Sequence, residues 1–264
     1  MVEQRFDRWS AGGAYERYMG RWSRAVAREF VVWTGERGPR WLDVGCGTGA
    51  LSAAVVERCR PGLVVGVDRS AGFVAAARDG VRGPARFVVG DAMRLPVRDG
   101  AFDAAVSGLA LNFVPGPDAA LAGMARAVRP GGLVAGYVWD YAGGMGLLRH
   151  FWDAAAALSP DAVELDEGRR FAWCRPGPLR ALWAGAGLVD VAVGEVEVTM
   201  VFAGFAELWE PFLAGQGPAP GYAAALPPAD RRQLRDLFRA GLPVGPDGSI
   251  ALSARAWAVR GRRP

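Results

Sequence analysis

The sequence predicts an α/β protein built on a mostly parallel sheet, and three observations carry that reading. Segments of strand and helix character alternate from Trp41 to Trp139. The apolar runs at the strand positions are continuous, as in strands buried on both faces. The first run passes through a glycine-rich turn into a helix: Leu42-Asp43-Val44-Gly45-Cys46-Gly47-Thr48-Gly49, then Leu51, Val55, Val56 and Cys59 at roughly helical spacing.

Trp41 to Val44 reads as the end of the first strand. Glycine tolerates positive φ and has no Cβ, so the turn that follows lets a ligand approach the main chain closely. Leu63-Val64-Val65-Gly66-Val67 is a second buried strand, ending at Asp68, and an acid about 20 residues past such a turn suits a ribose diol. Ser70 is placed to cap a helix over Ala71 to Asp79, with Gly80 at its far end. Arg86 to Gly90 gives a third strand ending in Asp91-Ala92, and Ala101 to Gly108 a fourth. Open α/β sheets bind ligands at the carboxyl ends of their strands, where each of these acids falls. Pro117-Asp118 opens a helix expected to run through Arg129, with Gly131 after its close; Leu121, Met124, Ala125 and Val128 form its core-facing stripe. Leu133 to Trp139 is the fifth strand.

After Asp140 the pattern changes. A helix is expected over Met145 to Leu158, containing His150, and another over Pro178 to Ala186. Leu188 to Met200 and Ser249 to Arg260 read as two further strands around an insertion at about 202–247 that holds Phe202, Phe205, Leu208, Trp209, Phe212, Tyr222 and Leu237. One domain over 1–264 is expected, with a helical cap at about 1–38 ahead of the first strand and the insertion lying over the mouth of the site.

Composition narrows the function. At 264 residues, 51% of them apolar, the chain can bury a large core. No apolar run reaches the roughly 18 residues of a membrane span, and Glu3, Arg5, Asp7 and Arg8 make the start unlike a signal peptide, so a cytoplasmic protein is expected. Cys46, Cys59 and Cys174 are widely spaced and His150 is the only histidine, which argues against a metal centre or a disulfide framework. Cys46 is expected to pack under the turn, and Cys59 on the buried face of the following helix. The isoelectric point is near 9.3, and all 31 basic residues are arginine. Three of them lie in the last five residues, without which the net charge of +4 falls to +1. No basic stripe with interleaved aromatics is evident, so neither nucleic acid nor membrane is expected as a partner. The sequence does not indicate the oligomeric state.

Leu42 to Gly49, the Val67-Asp68 end, Gly90-Asp91-Ala92, the Phe102-Asp103 strand and Arg129-Pro130-Gly131-Gly132 together resemble a class I S-adenosylmethionine-dependent methyltransferase. The likeness covers roughly residues 14–140. The Tyr15 to Ser23 stretch resembles the bacterial small-molecule variety, with a domain of the methyltransferase 11/25 type. This resemblance implies a Rossmann-like seven-stranded sheet with helices on both faces and an antiparallel last strand. It also implies a site. Asp43 would hold the glycine turn (Gly45, Cys46, Gly47) near the methionine amino group, Asp68 with Arg69 would meet the ribose, and Asp91, Ala92 and Met93 the adenine. Ser107 to Ala110, Leu109 among them, would supply main-chain carbonyls, and Tyr18 or Arg21 would reach the methionine carboxylate.

The implied reaction is in-line methyl transfer to an oxygen, nitrogen or carbon of a small, largely apolar metabolite, driven by positioning and desolvation. His150, whose imidazole can accept a proton from a hydroxyl, is the candidate base, and Asp140 and Tyr141 are alternatives. A second reading reuses the fold to bind the cofactor for a rearrangement or cyclisation. A third, an NAD(P)-dependent oxidoreductase, rests on Gly45-x-Gly47-x-x-Ala50 alone. Asp43, Asp91-Ala92 and the Pro-Gly-Gly turn favour the methyl donor over the dinucleotide.

Overall fold

A computed structural model describes residues 12–215 and 217–264. The stretch expected as a cap is therefore described from residue 12 onward, and Glu3, Arg5, Asp7 and Arg8 lie outside the described residues. In chain order, α1 (Gly12–Tyr15) passes through a widened turn at Glu16–Gly20 into α2 (Arg21–Thr34). The elements β1 (Arg40–Val44), α3 (Ala50–Cys59), β2 (Leu63–Asp68), α4 (Ala71–Gly80), β3 (Ala85–Val89), β4 (Phe102–Gly108), α5 (Pro117–Ala127) and β5 (Val128–Trp139) follow. Then come α6 (Gly146–Leu158), α7 (Glu167–Arg170), α8 (Pro176–Gly185) and β6 (Val189–Phe202). The chain closes with α9 (Phe205–Trp209), α10 (Pro218–Ala225), α11 (Pro228–Ala240) and β7 (Ile250–Arg262).

The seven strands form one sheet in the order β3-β2-β1-β4-β5-β7-β6. The pairs β1–β2, β1–β4, β2–β3 and β4–β5 are parallel. Strand β7 runs antiparallel to β5: Gly131 and Arg263 bond at one end, Asp140 and Arg255 at the other. The expected mixed sheet is thus the observed one. Connections leave β1 toward β2 on one side and return to β4 on the other, so the topological switch point lies outside the carboxyl ends of β1 and β4.

Two expectations change in detail. Helix α5 stops at Ala127, two residues early, and Val128 already pairs with Phe102 before the register shifts at Ala104↔Leu133. Pro130 disfavours helical backbone at Arg129, and the Arg129 guanidinium is held by Asp103 Oδ1 at 2.8 Å. The Pro-Gly-Gly turn is therefore an irregularity at the start of β5 rather than a separate loop. Cys59 is only half-buried, with its thiol 3.5 Å from the Glu36 carbonyl, because it ends α3 beyond the covered turns.

Contacts group the described residues into two compact units. One comprises Ser23–Val138, Trp173–Val196 and Ala256–Pro264; the other comprises the residues up to Trp22 with Trp139–Ala172 and Glu197–Arg255. In the first, Trp41, Leu42, Val44, Val64, Val67 and Val106 are the sheet's interior, and Leu121 and Met124 pack from α5. Trp183 is fully buried and donates its indole N–H to the Val134 carbonyl at 3.0 Å, which satisfies the one polar atom an interior tryptophan carries. In the second unit, rings pack on rings: Phe151 lies 4.8 Å from Phe212 and 5.6 Å from Phe238, and Trp209 stacks on Phe212 at 5.8 Å. Phe202, Leu208, Trp209, Phe212 and Tyr222 of the aromatic-rich insertion are buried within this unit, and Leu237 stays partly exposed. Buried rings of this size each remove a large apolar area from water, and that packing holds the short helices α9 and α10.

Candidate functional site

The site is built around the turn between β1 and α3. Gly45 and Cys46 both donate to the Val67 carbonyl, at 2.8 and 3.1 Å, and Gly47 donates to Asp68 Oδ2 at 2.9 Å. The turn is thus clamped onto the end of β2. Gly45 has φ +72, and a Cβ there would lie 2.5 Å from the Ala110 Cβ, so the turn and the chain after β4 approach too closely for any side chain. Gly47 differs. Its φ is +52, and nothing stands within 4 Å of where its Cβ would be. The open space over bare main chain at the switch point of the sheet leaves room for a ligand to approach the backbone.

Asp43 is the buried charge of this site, 1% exposed. Its Oδ2 accepts from Ser52 Oγ at 2.7 Å, while Oδ1 is buried with no hydrogen-bond partner. Desolvation, opposed by Ser52 and reinforced by the nearby Asp68 carboxylate, pushes its pKa up to about 7. Asp68, half-buried, spans the turn: Oδ1 accepts from Ser70 N at 2.8 Å while Oδ2 holds Gly47. Ser70 caps α4 as expected, accepting from Phe73 N. Arg69 is exposed beside it.

Asp91, at the end of β3, is exposed; its Oδ1 accepts from Met93 N at 2.9 Å, which fixes a tight bend through Ala92. Met93 also lines a recess of about 400 Å³ with Leu95, Ala119, Ala122 and Gly123. After β4, Leu109 adopts φ +57, a conformation that costs a side-chain-bearing residue about 1–2 kcal/mol. It is held there by its N–H to the Tyr137 carbonyl at 2.8 Å. Ser107 is buried, and its hydroxyl has no partner. The carboxyl end of β4 at the switch point thus carries both backbone strain and an orphaned hydroxyl. Cys46 is buried against Val74, Ala77 and Phe87, under the turn as expected. Burial and the charges of Asp43 and Asp68 drive its thiol far above the usual range, so it takes part as a packed side chain and a backbone donor.

Asp43, Gly45, Cys46, Gly47, Asp68, Arg69, Asp91, Ala92, Met93, Ser107 and Leu109 all belong to the unit that carries most of the sheet, whereas Tyr18, Arg21 and His150 belong to the other. There Tyr18 is buried with its ring edge-on to Phe212 at 5.2 Å. Arg21 pairs with Glu207 at 3.0 Å, donates to the Val201 carbonyl and lies over the Trp22 ring. His150 is half-buried on α6. Asp140 is taken up structurally: Arg255 donates to its Oδ2 from Nε at 3.0 Å and Nη2 at 2.6 Å, and its backbone N–H bonds Arg255 O. Tyr141 is buried against Phe171.

Sequence reasoning missed two residues. Ser52 carries no motif; its only signal is a lone hydroxyl in the alanine-rich first turns of α3. Glu167 sits in Asp-Glu-Gly-Arg-Arg, which reads as a solvated charge cluster, yet it is 3% exposed and bonded to the Trp152 indole. Desolvation pushes its carboxyl up to about 7.

Comparison with known proteins bears on the fold. Residues 42–136 match the model of the methyltransferase domain family. The demethylmenaquinone methyltransferase of Staphylococcus aureus (strain JH9) is 32% identical over 136 residues, which are 50% of this chain and 55% of that protein. The chain thus matches about half the length of such curated relatives. Among solved structures, the YcgJ protein of Bacillus subtilis superposes with a TM-score of 0.54 at 16% identity, over 90% of this chain and 97% of that one. Phosphoethanolamine N-methyltransferase 2 of Haemonchus contortus, solved with phosphomonomethylethanolamine and S-adenosylhomocysteine, has a TM-score of 0.57 at 18% identity. That match covers 96% of this chain and 57% of the other.

Proposed function

We propose that the protein, whose residues 42–136 match the methyltransferase domain family, is a class I S-adenosylmethionine-dependent methyltransferase that transfers a methyl group to an oxygen, nitrogen or carbon of a small, largely apolar metabolite. One observation carries the reading: a buried carboxylate oxygen without a partner, on Asp43, precedes a glycine turn that is open over Gly47. A cationic nucleoside fits that pairing, because a buried anion calls for an opposite charge and bare main chain for close approach. A dinucleotide would bring its anionic pyrophosphate to the glycine turn, beside the Asp43 carboxylate rather than paired with it. S-adenosylmethionine, when bound, supplies a methyl carbon made electrophilic by its positive sulfur.

The chain's own residues then have limited chemical work. Asp43 holds negative charge beside the turn, and Asp68 has lone pairs left for two hydroxyls after accepting from Gly47 and Ser70. The Asp91–Met93 bend offers a carboxylate and main-chain groups to a base edge. The strained Leu109 stretch offers main-chain carbonyls to a cationic centre. Positioning and exclusion of water supply most of the acceleration in such a displacement. From the sequence we assign His150 the removal of the acceptor's proton, and Tyr18 and Arg21 a share in cofactor affinity.

Calorimetric titration of the full chain with S-adenosylhomocysteine and with NADH is the first test: the former is expected to bind, and binding of the dinucleotide alone would refute the proposal. Transfer of labelled methyl to a panel of phenols, amines and activated carbon acids then finds the acceptor. Arg21→Ala is expected to weaken the homocysteine ligand, and unchanged affinity removes Arg21 from the site. With an acceptor in hand, His150→Ala is expected to lower kcat about a hundredfold without altering cofactor affinity; near-normal turnover would leave His150 without a role.

A further inference from the structure

The pair formed by Asp43 and Ser52 has a specific use within the proposed cofactor site, on which this inference rests. Ser52 is fully buried in the first turns of α3, and its hydroxyl donates to one Asp43 oxygen only, Oδ2, at 2.7 Å. That bond fixes the carboxyl's rotation and leaves Oδ1 bare. A carboxylate oxygen that accepts no protein bond keeps both of its lone pairs for an incoming donor, and the bond to the other oxygen sets the direction in which they point. We propose that Ser52 is a positioning residue that turns Asp43 so that Oδ1 stays free for the ammonium group of the cofactor's amino-acid end, and that the arriving cation expels the proton held by the empty carboxyl.

The groups acting on Asp43 agree with this. The Asp68 carboxylate, from the end of β2, repels a second negative charge. The neutral Cys46 thiol, in the turn, offers nothing to offset it. Neighbouring strands present Gly66 and Val106 at the same register, and neither carries charge. Ser52 is thus the one group whose bonds to Asp43 favour its ionised form. Burial without a cation holds the carboxyl near pH 7, so the empty site is largely protonated at pH 6 and largely ionised at pH 8.

The test is calorimetric titration of the full chain with S-adenosylhomocysteine in two buffers of different ionisation enthalpy, repeated from pH 6 to pH 8.5. Close to one proton is expected to leave per ligand bound at pH 6, fading to none above pH 8. 5′-Methylthioadenosine, which lacks the amino-acid end, is expected to bind without proton release, and Asp43→Asn to bind S-adenosylhomocysteine weakly and without release. Ser52→Ala is expected to lower affinity at pH 7 about tenfold, as loss of a hydrogen bond to a charged group does, and to carry proton release to higher pH. Ser52→Thr, which keeps the hydroxyl, is expected to restore the wild-type profile, and it carries the test if the alanine variant fails to fold. If S-adenosylhomocysteine binds with no proton released, or with the same release in Asp43→Asn, the inference is overturned and the methyltransferase reading stands. An unchanged pH profile in Ser52→Ala overturns the positioning role. Failure of the ligand to bind at all overturns both.

Discussion

Gly45 and Gly47 share a left-handed backbone but differ in what surrounds them, so the same substitution is expected to act in two ways. At Gly45 the new Cβ meets Ala110 at 2.5 Å, and Gly45→Ala should destabilise the fold by about 2–4 kcal/mol, read as a lowered Tm. At Gly47 the Cβ enters open space; Gly47→Ala should cost about 1 kcal/mol in stability yet remove most of the affinity for S-adenosylhomocysteine. Glu167 gives a prediction with a pH signature. Its pKa is raised from 4.5 to about 7 by burial, so the stability of the wild type is fullest below pH 4.5 and is lost as pH rises toward 7, where the buried carboxyl must ionise. Glu167→Gln keeps an acceptor for Trp152 and cannot ionise. It should match the wild type at pH 4 and exceed it by about 2–3 kcal/mol at pH 8 in denaturant titrations. Equal stability at both values would mean that Glu167 ionises unhindered. The sequence showed Gly45, Gly47, Asp43 and Asp68 because a turn motif is local; it was silent on Ser52 and Glu167 because burial is conferred by neighbours distant in the chain.

Among the elements, the turn after β5 and the first half of β7 are joined by Asp140 and Arg255, which exchange backbone and side-chain bonds. The Asp140 carboxyl is 5% exposed, so removing its partner leaves a buried charge uncompensated. Arg255→Met should destabilise by about 3 kcal/mol, and Asp140→Asn in the same chain should recover a large part of that, since neutralising both groups removes the charge penalty. Chemical denaturation of the two single variants and the double variant checks the coupling. Alternation of strand and helix through β5 followed from apolar runs and turn residues, and those elements fall within a few residues of expectation. The boundary at Val128 did not, because Pro130 and the Asp103–Arg129 pair act across two strands. Asp140, weighed as a base from its place beyond the fifth strand, proves to be held by a residue 115 positions away.

For the whole molecule, a ligand that binds only the folded chain raises its stability by mass action. Saturating S-adenosylhomocysteine at about 100 times its Kd should add about 2.7 kcal/mol and raise Tm, with NADH giving no shift; a shift with NADH alone would mark a dinucleotide site. Fold class, strand sequence and the acids at the strand ends were legible in the chain. Each depends on residues within a few positions of one another, and hydrophobic period and glycine geometry act at that range. Only the tertiary structure decided that Asp43 keeps a bare oxygen, that Leu109 is strained at the end of β4, and that rings of the insertion pack on one another. Desolvation, strain and packing are properties of what surrounds a side chain in space. Linear order leaves that unspecified until distant segments are brought into contact.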